Sequence, residues 1–301
     1  MRYFFFYLCW LSLLLCSACR SLPKYDFPTD QLPQLQFKEV DQLKANLHQY
    51  ALDRTPLISA HRGGPYPGYP ENCLQTIKNL HRQIPAIFEI DIQMTKDSVL
   101  VLLHDKTLER TTNGNGILQA QTWKDIRRLR LQDPKGQNTS FHIPRFRKIL
   151  RQLRHRTVLS LDIKRGVPFQ RVIDEVKKYK AEASVMVIAY SIEDANAIHA
   201  LAPELLISLG IYNKADLLEI EHNLKVPLDQ IIAFTGTRPA EPELFAALRR
   251  MDIPIILGTL GKLDEQAARE GDSLYRQFQE RGVDIFATDR PLEAAKVLYQ
   301  E

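Results

Sequence analysis

The stretch VMVIAYSIEDANAIHALAPELLISL, residues 185–209, holds two runs that are apolar on both faces, 185–189 and 205–209. A helix-length segment, 193–201, separates them. Strands with no polar face are what burial on both sides of a sheet demands, and that is the condition of parallel strands covered by helices. The same unit recurs outward from this point. Toward the C-terminus, strand-like runs at 231–234, 253–257 and 283–287 alternate with helical patterns at 241–251 and 264–280. Toward the N-terminus, runs at 158–163, 99–103, 87–92 and 57–60 follow the same style, and 171–180 reads as a helix. Strand–helix alternation over this length predicts a parallel α/β fold, with a TIM (β/α)8 barrel as the leading form. The runs number nine where a barrel takes eight, so one of them is expected to lie outside it.

Residues 106–142 break the rhythm. They are polar, carry Asn113-Gly114-Asn115-Gly116 and Asp133-Pro134-Lys135-Gly136, and are long for a barrel loop. An insertion after the third strand, on the face where barrel enzymes build their sites, is the reading.

The polar residues of the apolar frame gather where strands end. His61-Arg62 follows the first run, Glu89 and Asp91 lie near the end of the second, His104-Asp105 closes the third, and Asp162 and Lys164 close the fourth. Glu89 and Asp91 fall on one side of a strand because side chains alternate with a period of two. Two adjacent carboxylates repel, and a divalent cation with oxygen ligands relieves that repulsion. Asp162 offers a third oxygen ligand. Histidine titrates near pH 6.5 and suits both proton acceptance and donation, while Arg62 and Lys164 supply fixed positive charge for a phosphoryl group.

The 301-residue chain is 45% hydrophobic and 25% charged, with a net charge of +4 at pH 7. That charge is too small to imply nucleic-acid binding. The basic run over 145–156 reads as one solvated helix face. Residues 1–19 differ from the rest: Arg2, an apolar run over 3–15, then Ser17-Ala18-Cys19, a secretory signal too short to span a membrane comfortably. Residues 20–54 read as a tether with Pro23, Pro28 and Pro33, ending in a short helix over 40–52. Residues 55–301 form the barrel domain. Of four cysteines only Cys73 falls in the domain, so no internal disulfide is expected.

The segments His61-Arg62-Gly63, Pro70-Glu71-Asn72, Glu89-Ile90-Asp91, Thr95-Lys96-Asp97, His104-Asp105 and Arg110-Thr111-Thr112-Asn113-Gly114 occur here in order. They are followed by His142-Ile143-Pro144, Leu161-Asp162-Ile163-Lys164 and Thr288-Asp289-Arg290-Pro291. In this succession the chain resembles the glycerophosphodiester phosphodiesterase family. The resemblance implies a TIM barrel with an insertion. It also implies a general acid/base pair in His61 and His104, and metal ligands in Glu89 and Asp91 for calcium or magnesium. Arg62 and Lys164 would hold the phosphate of a small glycerophosphodiester. In the family the neighbouring glycerol hydroxyl attacks phosphorus, and water opens the cyclic phosphate to sn-glycerol 3-phosphate. The N-terminus resembles the lipobox of bacterial lipoproteins, with Cys19 as the lipidated residue. It implies an exported, membrane-anchored protein, periplasmic or on the cell surface.

The chain departs from the family pattern at several points. Asp162 stands where Glu is usual, Cys73 where Thr is usual, and Gly258-Thr259-Leu260 replaces Trp-Thr-Val. Cys16 occupies a lipobox position where Leu is usual, and the first loop carries Pro65, Tyr66, Pro67 and Tyr69. Two rival readings follow: a lysophospholipase D or phosphoinositide-type phosphodiesterase on the same barrel, and a non-catalytic surface lipoprotein that binds a phosphate ligand or partner.

Overall fold

The computed structural model describes residues 32–300. The signal run, Cys19 and the first part of the expected tether lie outside the described residues. The strands are β1 Leu57–Ala60, β2 Ile87–Met94, β3 Leu100–Leu102, β4 Arg130–Gln132, β5 Asn138–His142, β6 Leu159–Ile163, β7 Val185–Ala189, β8 Leu206–Gly210, β9 Ile231–Phe234, β10 Ile255–Gly258 and β11 Ile285–Thr288. Eight of them run parallel in the order β1-β2-β6-β7-β8-β9-β10-β11, and β1 pairs with both β2 and β11, which closes the barrel.

The ninth expected strand is β3, and it is not part of the cylinder. It pairs antiparallel with β2 alone, Ile92 opposite Leu102 and Met94 opposite Leu100. The reason lies in the tight turn Thr95-Lys96-Asp97-Ser98, where Thr95 N–H donates to Val99 O and Ser98 adopts φ 61°. A turn of this size sends the chain straight back along its own strand, whereas a parallel neighbour needs a crossover of a dozen or more residues. His104 therefore arrives at the barrel mouth from above, with Leu103 N–H on Asp91 O. The insertion that follows carries the β4–β5 hairpin and its own small core of Val101, Leu103, Leu108, Leu118, Ile126 and Leu131.

At the opposite end the floor of the barrel is closed by the helix Val40–Leu52, whose bounds match the expected 40–52. Its Leu43 and Leu47 pack against strand-start residues such as Leu57, Ile87, Leu206 and Ile285. The expected tether is shorter than its sequence suggests. Leu35 and Phe37 are buried in this same cluster, and Phe37 O faces His155 Nδ1 at 2.8 Å. Leu47→Ala is expected to cost about 2–5 kcal/mol of stability by opening a cavity under the strands, measurable as a shifted denaturant midpoint.

The expected helix over 264–280 is two helices, Lys262–Glu270 and Leu274–Arg281, broken at Gly271 with φ 118°. That angle suits glycine and ends the first helix. Cys73 sits buried at the start of the helix Leu74–His81, and burial pushes its thiol pKa up, which leaves it inert.

Candidate active site

Glu89 and Asp91 rise from β2 and Asp162 from its neighbour β6, where Asp91 and Asp162 are register partners. One carboxylate oxygen from each of the three lies within 4.8 Å of the others, and Asp91 and Asp162 are 1% and 6% exposed. The missing methylene of Asp162 does not keep it from the cluster, because the pairing of β6 with β2 brings its backbone alongside Asp91.

Charge balance at this point is incomplete. Lys164 Nζ lies 2.5 Å from Asp91 Oδ1 and 2.5 Å from Asp162 Oδ2, so one ammonium is shared between two carboxylates. Burial works against ionisation of Asp91, but Lys164 and a 2.6 Å hydrogen bond from Asn72 hold its pKa below the usual range. Glu89 forms no ion pair, and the backbone N–H of Arg62 that it accepts does not offset its burial. Burial, and then the Asp91 charge beside it, push its pKa well above the ordinary carboxylate value. Asp162 Oδ1 is buried and accepts no hydrogen bond. Lys164 at contact distance and Arg62 Nε, 4.0 Å from Asp91 Oδ2, leave three carboxylates short of positive charge and one buried oxygen unpaired, and a divalent cation with oxygen ligands fits the cluster.

The raised Glu89 pKa has a measurable consequence. Without metal, the folded chain holds the Glu89 proton more tightly than the unfolded chain. Stability conferred by that proton is full below the ordinary carboxylate pKa and falls as pH rises toward the elevated value. Melting temperature in chelator is therefore expected to fall with rising pH across that window, and Glu89→Gln is expected to flatten the slope.

Two tight turns aim the groups around the cluster. In His61-Arg62-Gly63-Gly64, Arg62 takes φ 51° and its backbone N–H donates to Glu89 Oε2 at 2.6 Å. A Cβ on Gly64 would meet Leu80 Cδ2 at 2.4 Å, so only glycine lets the turn settle onto the helix below. Asn72, at φ 52°, donates its amide to Asp91 Oδ2 and accepts the Asp91 backbone N–H at 2.9 Å. The Arg62 guanidinium is held by Glu71 at 3.2 Å, while its buried Nε makes no hydrogen bond and lies 4.0 Å from Asp91 Oδ2. That donor is available to an anionic oxygen.

The two histidines are held alike. His61 Nδ1 lies 2.7 Å from Asp289 Oδ1, and His104 Nδ1 lies 2.7 Å from Asp105 Oδ1. Hydrogen bonds from Arg110 keep Asp105 well below the usual carboxylate range. At Asp289 burial opposes, but hydrogen bonds from His61 and the Gly261 N–H, with the nearby positive charge, together lower the pKa. Ionised carboxylates only accept, so each Nδ1 carries the proton and each Nε2 is left for proton transfer. Arg110 also grips Glu71 at 2.8 and 2.9 Å, tying the His104 side of the mouth to the Arg62 side.

The seven residues expected from the sequence thus meet at one mouth. Asn72 and Asp289 stand in the sequence within longer motifs, where no role attaches to them, and two tyrosines of the site are not singled out there at all. Tyr190 and Tyr212 follow β7 and β8 and, with Phe234 and Leu260, wall a cavity of about 140 Å³ that reaches His61, Glu89 and Asp162. Their signal was present, a polar side chain at a strand's C-terminal end, the rule that picked out the charged residues. Tyr66 and Tyr69, the aromatic residues of the first loop, do not line this cavity. That loop is pinned elsewhere, by Gly68 N–H on Asp133 and Tyr66 Oη on Glu293. At Gly258, a Cβ would stand 3.1 Å from the Phe234 ring, so Phe234 crowds the space a larger side chain would need.

The glycerophosphoryl diester phosphodiesterase family model matches residues 61–292 of the chain. A glycerophosphodiester phosphodiesterase of Caldanaerobacter subterraneus subsp. tengcongensis is 29% identical over 173 residues, 55% of this chain and 70% of that protein. The crystal structure of a glycerophosphoryl diester phosphodiesterase from Parabacteroides distasonis matches at a TM-score of 0.82 and 36% identity, covering 88% of this chain and 93% of that one. A phosphodiesterase from Oleispira antarctica, solved with the product sn-glycerol-3-phosphate, shares the fold at a TM-score of 0.66 and 19% identity, covering 83% and 99%. The barrel, the acidic mouth and this match across the whole site-bearing region agree: the chain belongs to the glycerophosphoryl diester phosphodiesterase family.

Proposed function

We propose that the protein hydrolyses glycerophosphodiesters to sn-glycerol 3-phosphate and an alcohol, with a divalent cation, calcium or magnesium, held by Glu89, Asp91 and Asp162. The observation that carries this reading is the pairing of an undercharged carboxylate triad with two Nδ1-tethered histidines at one mouth. The bound cation would neutralise charge building on the phosphoryl oxygens. Arg62 Nε and Lys164 Nζ add fixed positive charge there and orient the phosphate. One histidine takes the proton of the attacking glycerol hydroxyl at Nε2, and the other gives a proton to the leaving alcohol oxygen. Roles then exchange as water opens the cyclic phosphate. Apolar walls on the β7–β10 side limit water around the leaving group.

A second reading, a diester still carrying an acyl chain, is favoured by one observation. Tyr190 and Tyr212 remain 62% and 48% exposed at the rim, and Leu218 nearby in the chain is 59% exposed. Incubation with glycerophosphocholine, glycerophosphoethanolamine, lysophosphatidylcholine and glycerophosphoinositol, each with calcium or magnesium, separates the readings. Release of glycerol 3-phosphate from the soluble diesters is expected. No turnover of any diester by metal-loaded protein would refute the proposal.

The N-terminal features support export with anchoring through Cys19: Arg2, the apolar run over 3–15 and the small residues before Cys19. Metabolic labelling with a radioactive fatty acid, lost on Cys19→Ser, is the expected outcome. Among the described residues, no helix is long and apolar enough to cross a membrane.

A further inference from the structure

A buried carboxylate stands behind His61 without touching it. Asp264 is 3% exposed, in the first turn of the helix Lys262–Glu270. Its Oδ1 accepts from Tyr275 Oη at 2.8 Å, and the Thr288 hydroxyl lies 2.9 Å from both of its oxygens. Its Oδ2 accepts the backbone N–H of Asp289 at 2.7 Å. Asp289 in turn holds His61 Nδ1 at 2.7 Å and accepts the Gly261 N–H on its other oxygen at 3.1 Å. The corner at the end of β11 is therefore clamped from both sides. The Asp264 carboxylate fixes its backbone, and the loop entering the same helix fixes its side chain.

A buried carboxylate is retained at a cost unless its hydrogen bonds are met. Here Tyr275 and Thr288 meet part of that need, and the remaining bond holds the backbone of Asp289, the residue that sets the tautomer and direction of His61. We propose that Asp264 is a positioning residue that holds the Asp289–His61 pair in register for proton transfer at His61 Nε2. The proposal rests on the reading of His61 as an acid/base group, so its test includes a signal that does not depend on turnover.

Asp264→Asn is close in shape but replaces one acceptor oxygen by an NH2 group. If that group faces the Asp289 N–H, donor meets donor and the corner must move. If it faces Tyr275 and Thr288, it meets two hydroxyls that can rotate only within a packed site. The control is Asp284→Asn. Asp284 is also a buried carboxylate accepting a backbone amide, from Ile255 at 2.9 Å, but it lies just before the opposite end of β11 and far along the strand from His61. Both variants are expected to melt at lower temperature.

Only Asp264→Asn is expected to move the ¹⁵N signal of His61 away from the Nδ1-protonated tautomer in a selectively labelled protein. It is also expected to lower kcat by about tenfold or more with KM nearly unchanged, the scale seen when a group that orients a functional histidine is lost. Asp284→Asn is expected to leave the His61 signal, kcat and KM in place. An Asp264→Asn protein that is folded and keeps the wild-type His61 signal would overturn the proposal, whatever its activity. So would a shift of that signal equal in both variants. Absence of turnover in the wild type bears on the function proposed above, and the His61 signal still decides this one.

Discussion

His61→Ala and His104→Ala are each expected to lower kcat by about 10²–10⁴-fold while leaving the fold and the metal site intact, since general acid/base groups contribute on that scale. The structure explains why neither loss is covered by the other histidine. Each imidazole is fixed through Nδ1 by its own aspartate, Asp289 for His61 and Asp105 for His104. Neither ring is free to swing into the other's place. Because the two proton transfers occur in one turnover, the double variant is expected to lose little more than the worse single variant, as groups acting as a unit are not additive. Steady-state kinetics on one soluble diester, with melting curves to show folding, checks this. Retention of activity in either single variant would refute the assigned role.

The second large effect concerns Asp162. Asp162→Asn removes a negative oxygen from the triad and breaks the contact with Lys164. Metal affinity is expected to fall by about 100-fold or more, beyond the range typical of groups behind the ligands, and activity at limiting metal falls with it. Asp162→Glu restores the residue usual in the family and is expected to keep both. Raising the metal concentration should recover part of the Asp162→Asn activity. If Asp162→Asn binds metal like the wild type, Lys164 and Asp162 form a structural pair and the ligand set is Glu89 and Asp91 alone.

How much of this was legible in the sequence follows from what kind of interaction fixed each element. The barrel strands were readable because burial on both faces leaves few polar positions: β7 has none, and β8 has only Ser208. Their number was ambiguous for the same reason. β3 is as apolar as a barrel strand, since it is buried between β2 and the small core of the insertion. Only the turn at residues 95–98 distinguishes it, and turn size decides direction.

In the site, the charged residues stood out because charge within an apolar run is costly and needs a reason. Asp162 was readable as a carboxylate but not as a ligand within reach, because reach depends on the register between β6 and β2. Asp264, and the partnership of Asp289 with His61, were hidden by distance in sequence. His61 and Asp289 meet only because the last strand pairs with the first, which no local pattern records. Leu35 and Phe37 read as tether because their prolines and polar neighbours dominate the segment, yet the open barrel floor recruits any apolar side chain nearby.

Phosphodiester cleavage is expected to depend on a cation held by Glu89, Asp91 and Asp162. Calorimetric titration of chelator-stripped protein with calcium and with magnesium, run beside glycerol 3-phosphate release on the same samples, decides this. At least one of these ions is expected to bind at the triad, with no release before it is added and release that rises along the binding curve. Full release from stripped protein, with no ion bound, would contradict this dependence.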